Sequence, residues 1–508
     1  MIGRAATVAV VGLDPVQVTV EAHVGPGLPG LHLIGSSGAA AREAADRVKT
    51  ALTAVGVVLP QRKALVSLAP AEVPKAGARF DLAMALALAC AIEVLPHGAL
   101  ARTAALGELA LDGAVRAVPG VLPSMGSLPR LGITRVLVAE ANGDEAALLG
   151  GLEVVCVADV GEALRVLRGE APARGPSGAR GQALAPPPHE LADVRGQHEA
   201  RRALELAAAG GHHLLLIGPP GCGKSMLAAR LPGLLPPLTR EEALEVAAVR
   251  SVAGAVDPAG PVLDHRPPFR APHHSTSAAA LLGGGSGVAR PGELSRASHG
   301  VLFLDELFEW PRALLESLRE PLEEGVVRIA RAAATVRYPA RAQLVCAANP
   351  CPCGGGDRCA CTDERIAAYR ARLSGPLADR LDLAPAVEPV TAADLLSEAP
   401  GESTAVVARR VASARRVAAD RWGQGAVNVR APAAAVRATA GRAALRVLAD
   451  ALERGDLTGR GFDRALRVAR TIADLEAADV IAVEHAREAL AHRLPLRVGS
   501  GAFAQVAP

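Results

Sequence analysis

The chain has 508 residues, half of them hydrophobic and 21% charged, which excludes wholesale disorder and leaves room for about three packed domains. Fifty-five Lys and Arg against 52 Asp and Glu leave a formal charge of +3, too balanced for a binder held by bulk charge, so a nucleic-acid site has to be a local basic patch. Aromatic residues make up only 2%, which argues against a surface of stacked rings for single strands. The most apolar early run, Leu82 to Ile92, lies between Asp81 and Glu93 and is too short to cross a bilayer; no cleavage-like site follows the N-terminal apolar stretch. Eight cysteines in a chain this long make no disulfide framework, and the expected setting is reducing and cytoplasmic.

Along the chain, residues 1–168 alternate β-branched runs with Ala-rich stretches. Thr7–Val11, Val16–Val20, Ala64–Leu68 and Val136–Ala139 predict strands; Ala39–Val55 and Leu82–Ile92 predict helices. Residues 169–188 are mostly Gly, Pro and Ala, a linker composition. From 189 to 390 strand, Gly-rich turn and helix recur, the pattern of an α/β nucleotide-binding core. From 391 to 508 segments such as Thr404–Arg421 and Arg464–Ala477 predict helices, with no convincing strand.

His213–Ile217 predicts an apolar strand, followed by Gly218, Pro219, Pro220, Gly221, Cys222, Gly223, Lys224 and Ser225, with a helix opening at Met226. This is a P-loop in its strand–loop–helix context. Its glycines let backbone N–H groups surround phosphate, Lys224 would bridge the β- and γ-phosphates of ATP, and Ser225 would hold Mg²⁺. Val301–Leu304 predicts a buried strand that delivers Asp305 toward the Mg²⁺ and Glu306 toward the attacking water. Gln343–Asn349 predicts another, ending in Asn349, which is either a γ-phosphate or water contact or simply part of an Asn-Pro turn.

Two segments are candidates for DNA. One is the stretch 269–292, where Gly283–Gly287 predicts a mobile loop rather than a packed element. The other is Val326–Val336, a predicted hairpin marked basic by Arg328, Arg331 and Arg337. His273 and His274 are adjacent and cannot both face one site from a regular helix, so local hydrogen bonding or nucleotide-linked packing is favoured over metal binding. Cys351, Cys353, Cys359 and Cys361 lie within eleven residues and could close around a tetrahedral Zn²⁺; a reduced structural loop or a redox-labile one is the alternative.

The strings Phe269-Arg-Ala-Pro-His-His-Ser275, Arg290-Pro-Gly-Glu293, His299-Gly-Val-Leu-Phe-Leu-Asp-Glu306, Asn349-Pro-Cys-Pro-Cys-Gly354, Ser374-Gly-Pro-Leu-Ala-Asp-Arg-Leu-Asp382 and Arg467-Val-Ala-Arg-Thr-Ile-Ala-Asp-Leu475 resemble the magnesium-chelatase-like AAA+ ATPases of the YifB/ComM type over essentially the whole chain. Ala348 and Phe308 depart from that pattern at positions that do not react. The resemblance implies a multi-domain α/β protein: a Lon-protease-like (ribosomal protein S5 domain 2-like) N-terminal domain over 1–168, a linker over 169–188, an AAA+ P-loop NTPase core with a helix-2 insert over 189–390, and a C-terminal α-helical lid over 391–508. It implies a homohexameric ring and an ATP-driven DNA motor, a helicase active in branch migration during natural transformation. A chelatase-type motor subunit that remodels a protein partner is the alternative. By the same resemblance Arg380 looks like an arginine finger, competing with a plain pairing to Asp379 or Asp382, and Arg460 looks like the lid sensor arginine, with Arg464 as runner-up. Arg79 stands where a Lon-type nucleophile would be. Lysine occurs only at Lys49, Lys63, Lys75 and Lys224, so no base follows, and a peptidase-inactive domain is expected.

Overall fold

The computed structural model describes residues 2–34, 39–75, 77–178, 189–254, 263–285, 287–331, 334–355, 359–396 and 401–493. The N-terminal part is built on a seven-stranded sheet in the order Gly30–Ile34, Lys63–Ala69, Asp14–Gly25, Ile2–Val11, Thr103–Leu106, Arg135–Ala139 and Glu153–Val157. Ile2–Val11 and Asp14–Gly25 pair antiparallel across a two-residue turn, from Ile2 opposite His23 to Val11 opposite Asp14. Gly12 in that turn has φ 70°, which a side chain would strain. The last three strands run parallel, so their connections cross over through helices.

Helix Asp81–Ala91 is buried on nearly every face, which explains why its sequence is apolar without periodicity. It packs directly on the sheet: a Cβ on Gly3 would meet Ala87 O at 2.0 Å. No described helix is long and apolar enough to cross a membrane. The strands at 30–34, 103–106 and 153–157 are additions to the sequence reading. Part of the expected linker is anchored rather than free. Arg174 pairs with Glu140 and Glu162 at 2.7 Å each and its carbonyl accepts from Cys156 N, while Gly178 N donates to Asp144. Residues 179–188 lie outside the described residues.

The second sheet has the order Leu214–Ile217, Gln343–Ala348, Val301–Leu304, Phe269–Arg270, all parallel. Residues 383–386 bridge in parallel on the free side of Leu214–Ile217. Strand Gln343–Ala348 is thus inserted between the strand that precedes the P-loop and the strand that ends in Asp305. The C-terminal part is helical, with helices Thr404–Trp422, Ala433–Ala438, Arg442–Glu453, Gly459–Leu475 and Val483–Ala491; residues 494–508 lie outside the described residues. One core joins these helices to the P-loop sheet, with Leu204, Leu214, Val411, Leu448, Leu466 and Ile472 all buried in it. The N-terminal part rests on helix Arg240–Ala253 through buried Leu122, Leu148 and Ala247, and Gly120 N donates to Ser251 O at 3.1 Å.

Candidate nucleotide site

Strand Leu214–Ile217 is fully buried and ends at Gly218, where a Cβ would meet Val387 O at 2.1 Å. The chain turns through Gly221 (φ 79°) and Gly223 (φ 92°), and helix Lys224–Ala228 begins. The loop has to be this glycine-rich because both turns sit in the left-handed region. Lys224 Nζ donates to Gly218 O at 2.6 Å, Pro219 O at 2.8 Å and Asn349 Oδ1 at 3.1 Å. The buried Lys224 side chain is ringed by neutral oxygens, an arrangement suited to holding an anion. Cys222 is buried beneath the loop, its Sγ 3.8 Å from Lys224 Nζ.

Ser225 Oγ donates to Asp305 Oδ2 at 2.8 Å, so the hydroxyl from helix Lys224–Ala228 and the carboxylate from the end of strand Val301–Leu304 converge, a hard-oxygen set suited to Mg²⁺. Trp310, itself buried, donates from Nε1 to Asp305 O at 2.9 Å. Glu306 then takes a left-handed conformation (φ 50°, ψ 48°) and turns its carboxylate out. Non-glycine residues held there cost about 1–3 kcal/mol, a strain that clusters at working sites. His274 Nδ1 lies 3.1 Å from Glu306 Oε2, and His273 turns instead to Ser275 Oγ at 2.8 Å. The two rings lie 4.0 Å apart, centroid to centroid, and each also makes its own local polar contact. Gln197, which the sequence reading missed, reaches Cys222 O at 3.1 Å and Glu388 O at 2.5 Å, tying the phosphate loop to the segment after residues 383–386. Its one sequence signal is the pair Gly196-Gln197, both with positive φ.

Arg380 lies elsewhere. Asp382 exchanges hydrogen bonds with His213, one residue before strand Leu214–Ile217, so Arg380 is at the start of that strand and the P-loop at its end. At ~3.3 Å per residue the strand keeps them about 13 Å apart along its axis. Arg380 pairs with Glu323, not with Asp379 or Asp382, and forms part of a recess of about 600 Å³ lined also by Glu316, Glu320 and Glu324. A smaller recess beside it brings Arg380, Arg460, Arg464, Asp379 and Glu323 together. Arg464 is committed within the chain, donating to Arg380 O at 2.9 Å and Asp382 Oδ1 at 2.7 Å. Asp382 is fully buried, yet Arg464 and His212 outweigh the cost of burial and hold its carboxyl far below the usual range. Arg460 is exposed.

Three family profiles match, described as subunit ChlI of Mg-chelatase over 20–142, magnesium chelatase subunit ChlI over 190–395 and its C-terminal region over 401–493. The chain is 47% identical over 500 residues to an uncharacterized protein of Mycobacterium tuberculosis, covering 97% of this chain and 98% of that one. It is 42% identical to YifB, an uncharacterized protein of Escherichia coli, over 96% of both chains. It is 37% identical to the competence protein ComM of Haemophilus influenzae, over 96% of this chain and 97% of that one. The chain belongs to the YifB/ComM family of magnesium-chelatase-like proteins. As a member it is an AAA+ protein of the ATP-binding class, with mixed α/β content and a helical C-terminal region.

Of the two candidate DNA segments, 269–292 departs in part from the sequence expectation. Phe269–Arg270 is the edge strand of the core sheet, and Gly283–Gly284 pairs with Arg290–Pro291. Gly283 and Gly292 are closely packed, since a Cβ on Gly283 would meet Arg290 O at 2.6 Å and one on Gly292 would meet Gly283 N at 2.4 Å, whereas Gly285 (φ 117°) and Gly287 (φ 75°) have open space around them. Close approach is the reason for glycine at 283 and 292, and positive φ at 285 and 287. The predicted hairpin is present as Val326–Ala330 paired with Thr335–Pro339. It sets exposed Arg328 directly opposite exposed Arg337, a like-charge pair that is unfavourable without anions; Glu324 and, at 3.7 Å, Glu320 supply some for Arg328.

The family's cysteine segment follows Asn349 directly. The sulfurs of Cys351, Cys353, Cys359 and Cys361 all lie within 4.8 Å of one another. Burial pushes the Cys351 thiol up to about 12, while the Gly355 N–H and the neighbouring thiols pull the exposed Cys353 thiol down to about 6. In the N-terminal part, Arg79 Nη2 donates to Ser124 Oγ at 2.8 Å, and burial lowers its guanidinium to about 10.

Proposed function

We propose that the protein is a homohexameric AAA+ ATPase that uses ATP hydrolysis to remodel branched DNA, acting in recombination during natural transformation. The observation that carries the ring is the position of Arg380 and Arg460, together at the sheet end remote from their own phosphate loop. Such arginines serve phosphate only if another copy presents it.

In this reading the backbone of Gly218–Ser225 cradles the phosphates, and Lys224 exchanges its carbonyl partners for phosphate oxygens. Ser225 and Asp305 would hold Mg²⁺, which supplies charge neutralisation at the phosphates. Glu306 orients and polarises water, Asn349 contacts the γ-phosphate side through its bond to Lys224, and Arg380 of the adjoining copy stabilises transition-state charge with Arg460 beside it. DNA contact falls to the hairpin face of Arg328 and Arg337, whose paired charges favour a polyanion. A role in natural transformation is supported by the 37% identity to the competence protein ComM. The first 168 residues act as a Lon-protease-like collar without peptidase activity, since Arg79 stands where the resemblance puts the nucleophile and no lysine occurs between Lys75 and Lys224.

A second reading, a chelatase-type motor that remodels a protein partner, is favoured by the descriptions of all three matching profiles. ATP turnover and particle mass, each measured with and without forked DNA, separate the two. The DNA motor gives a hexamer whose turnover rises with DNA. A hexamer indifferent to DNA moves the weight to the second reading, and a monomer with full turnover overturns both.

A further inference from the structure

We propose that Cys351, Cys353, Cys359 and Cys361 form a structural zinc site that clamps the Asn349 turn against the phosphate loop. Three of the sulfur separations are 3.3, 3.5 and 3.5 Å, close to the ~3.8 Å edge of a tetrahedron with Zn–S bonds of ~2.3 Å. Packing does not account for the convergence, because Cys353 and Cys359 are exposed and only Cys351 is buried. Thiols are also weak hydrogen-bonding groups, so they gain little from one another. All eight cysteines are free, and pairwise disulfides would not require four sulfurs in one place. An all-sulfur set selects Zn²⁺ over Mg²⁺, and the mutual limit of 4.8 Å leaves room for a single ion rather than an iron–sulfur cluster. The ion binds four thiolates, any remaining thiol protons pass to solvent, and no oxidation state changes.

The site lies against the nucleotide site. Cys351 is two residues from Asn349, whose Oδ1 accepts from Lys224. Gly354 (φ 97°) sits so close to the phosphate loop that a Cβ would meet Pro220 Cδ at 2.8 Å. From the other side Arg370 donates to Pro350 O at 3.0 and 3.2 Å. The segment 349–354 is thus wedged between the P-loop and helix Asp363–Arg370, and four metal–sulfur bonds would fix it there. The metal site stands independently of the function proposed above; its coupling to turnover rests on that reading.

The full chain, purified without a metal-affinity column, is expected to hold one equivalent of zinc. Exchange with Co²⁺ should give the thiolate charge-transfer bands and intense d–d absorption of a tetrahedral S₄ site. Cys351→Ser and Cys361→Ser should lose that spectrum. Less than half an equivalent of zinc, with four thiols titrating freely in the wild type, or a colourless cobalt form overturns the site without needing any variant to fold. Removing zinc with a soft-metal chelator, then restoring Mg²⁺, should lower ATP turnover by about 10- to 100-fold with the helical signal unchanged. Stoichiometric zinc whose removal leaves turnover intact overturns the clamp. A zinc-loaded protein with no turnover at all places the failure in the ATPase reading instead.

Discussion

The Glu306 carboxylate is held 3.1 Å from Nδ1 of His274, a residue that follows the edge strand Phe269–Arg270 and precedes the packed glycine segment. While it is so held, one of its oxygens is occupied and less available to a water molecule. His274→Ala should therefore raise ATP turnover without DNA several-fold and shrink the ratio by which DNA stimulates it, with KM for ATP little changed. Glu306→Gln provides the contrast: ATP binding is kept and kcat falls by about 10²–10⁴. Steady-state kinetics on both variants check this, and a His274→Ala protein as dependent on DNA as the wild type would remove the contact from the control of hydrolysis.

A site shared between copies makes a prediction that no single-chain site makes. Lys224→Ala removes the phosphate-loop cation, and Arg380→Ala removes the guanidinium at the remote sheet end. Each should be inactive alone, the second by about 10³–10⁵ if it acts as an arginine finger. Mixed and allowed to reassemble, the two variants create some interfaces with an intact lysine facing an intact arginine. Turnover should then recover in proportion to such interfaces. Mixtures as inactive as their components would show that Arg380 works on its own chain's nucleotide, or on none.

The strand–turn–helix around Gly218–Ser225 and the strand that ends at Asp305-Glu306 were legible because their pattern is local: a buried apolar strand, then a glycine-rich turn or a pair of carboxylates. The helices Ala39–Ala54, Asp81–Ala91 and Thr404–Trp422 followed from composition for the same reason. What sequence hid was long-range or steric. Strands Gly30–Ile34 and Glu153–Val157 are short, and only their parallel partners identify them. Gly283, read as part of a mobile loop, is closely packed, because a glycine chosen for freedom and one chosen for close approach read alike. Arg460 and Arg380 are eighty residues apart, and nothing local says they share a recess. The motif Arg467–Leu475 carries the family resemblance, and its Arg470, Thr471 and Asp474 are buried in contacts within the chain.

His299, quoted in the sequence only as part of a motif, ties helix Arg240–Ala253 to strand Val301–Leu304. It contacts Glu245 and lies 3.5 Å from Glu242, with φ 61°. Burial opposes its charge, but the two carboxylates prevail and raise it from 6.5 to about 9; His299 in turn holds Glu242 down from 4.5 to about 2. The histidine's contribution to stability is full below 6.5 and is lost as pH rises through 9; that of Glu242 is full above 4.5 and is lost as pH falls toward 2. The difference in melting temperature between wild type and His299→Gln should therefore be largest between pH 4.5 and 6.5 and fade toward pH 9. A difference that does not vary with pH would mean the histidine acts by packing alone.

The central helix of the C-terminal region, Gly459–Leu475, carries its own test. Arg470 and Asp474 are paired at 3.1 Å with both side chains fully buried. Arg470 also donates to Asp479 O at 2.8 Å, and Asp474 accepts from Asn428 at 2.8 Å and Arg421 at 2.9 Å. Thr471, between them, meets His212 Nε2 at 2.8 Å, just ahead of the P-loop strand. Removing one buried partner strands the others' charges and costs about 3–5 kcal/mol, whereas a surface pair is worth about 1 kcal/mol or less. Asp474→Ala should lower the unfolding midpoint far more than Asp463→Ala, which breaks only the half-exposed pair with Arg437. Because the lid and the P-loop sheet share one core, the loss should appear in the main cooperative transition. A separate early lid transition, with the P-loop sheet melting at its usual temperature, would show that the His212–Thr471 contact does not couple the two.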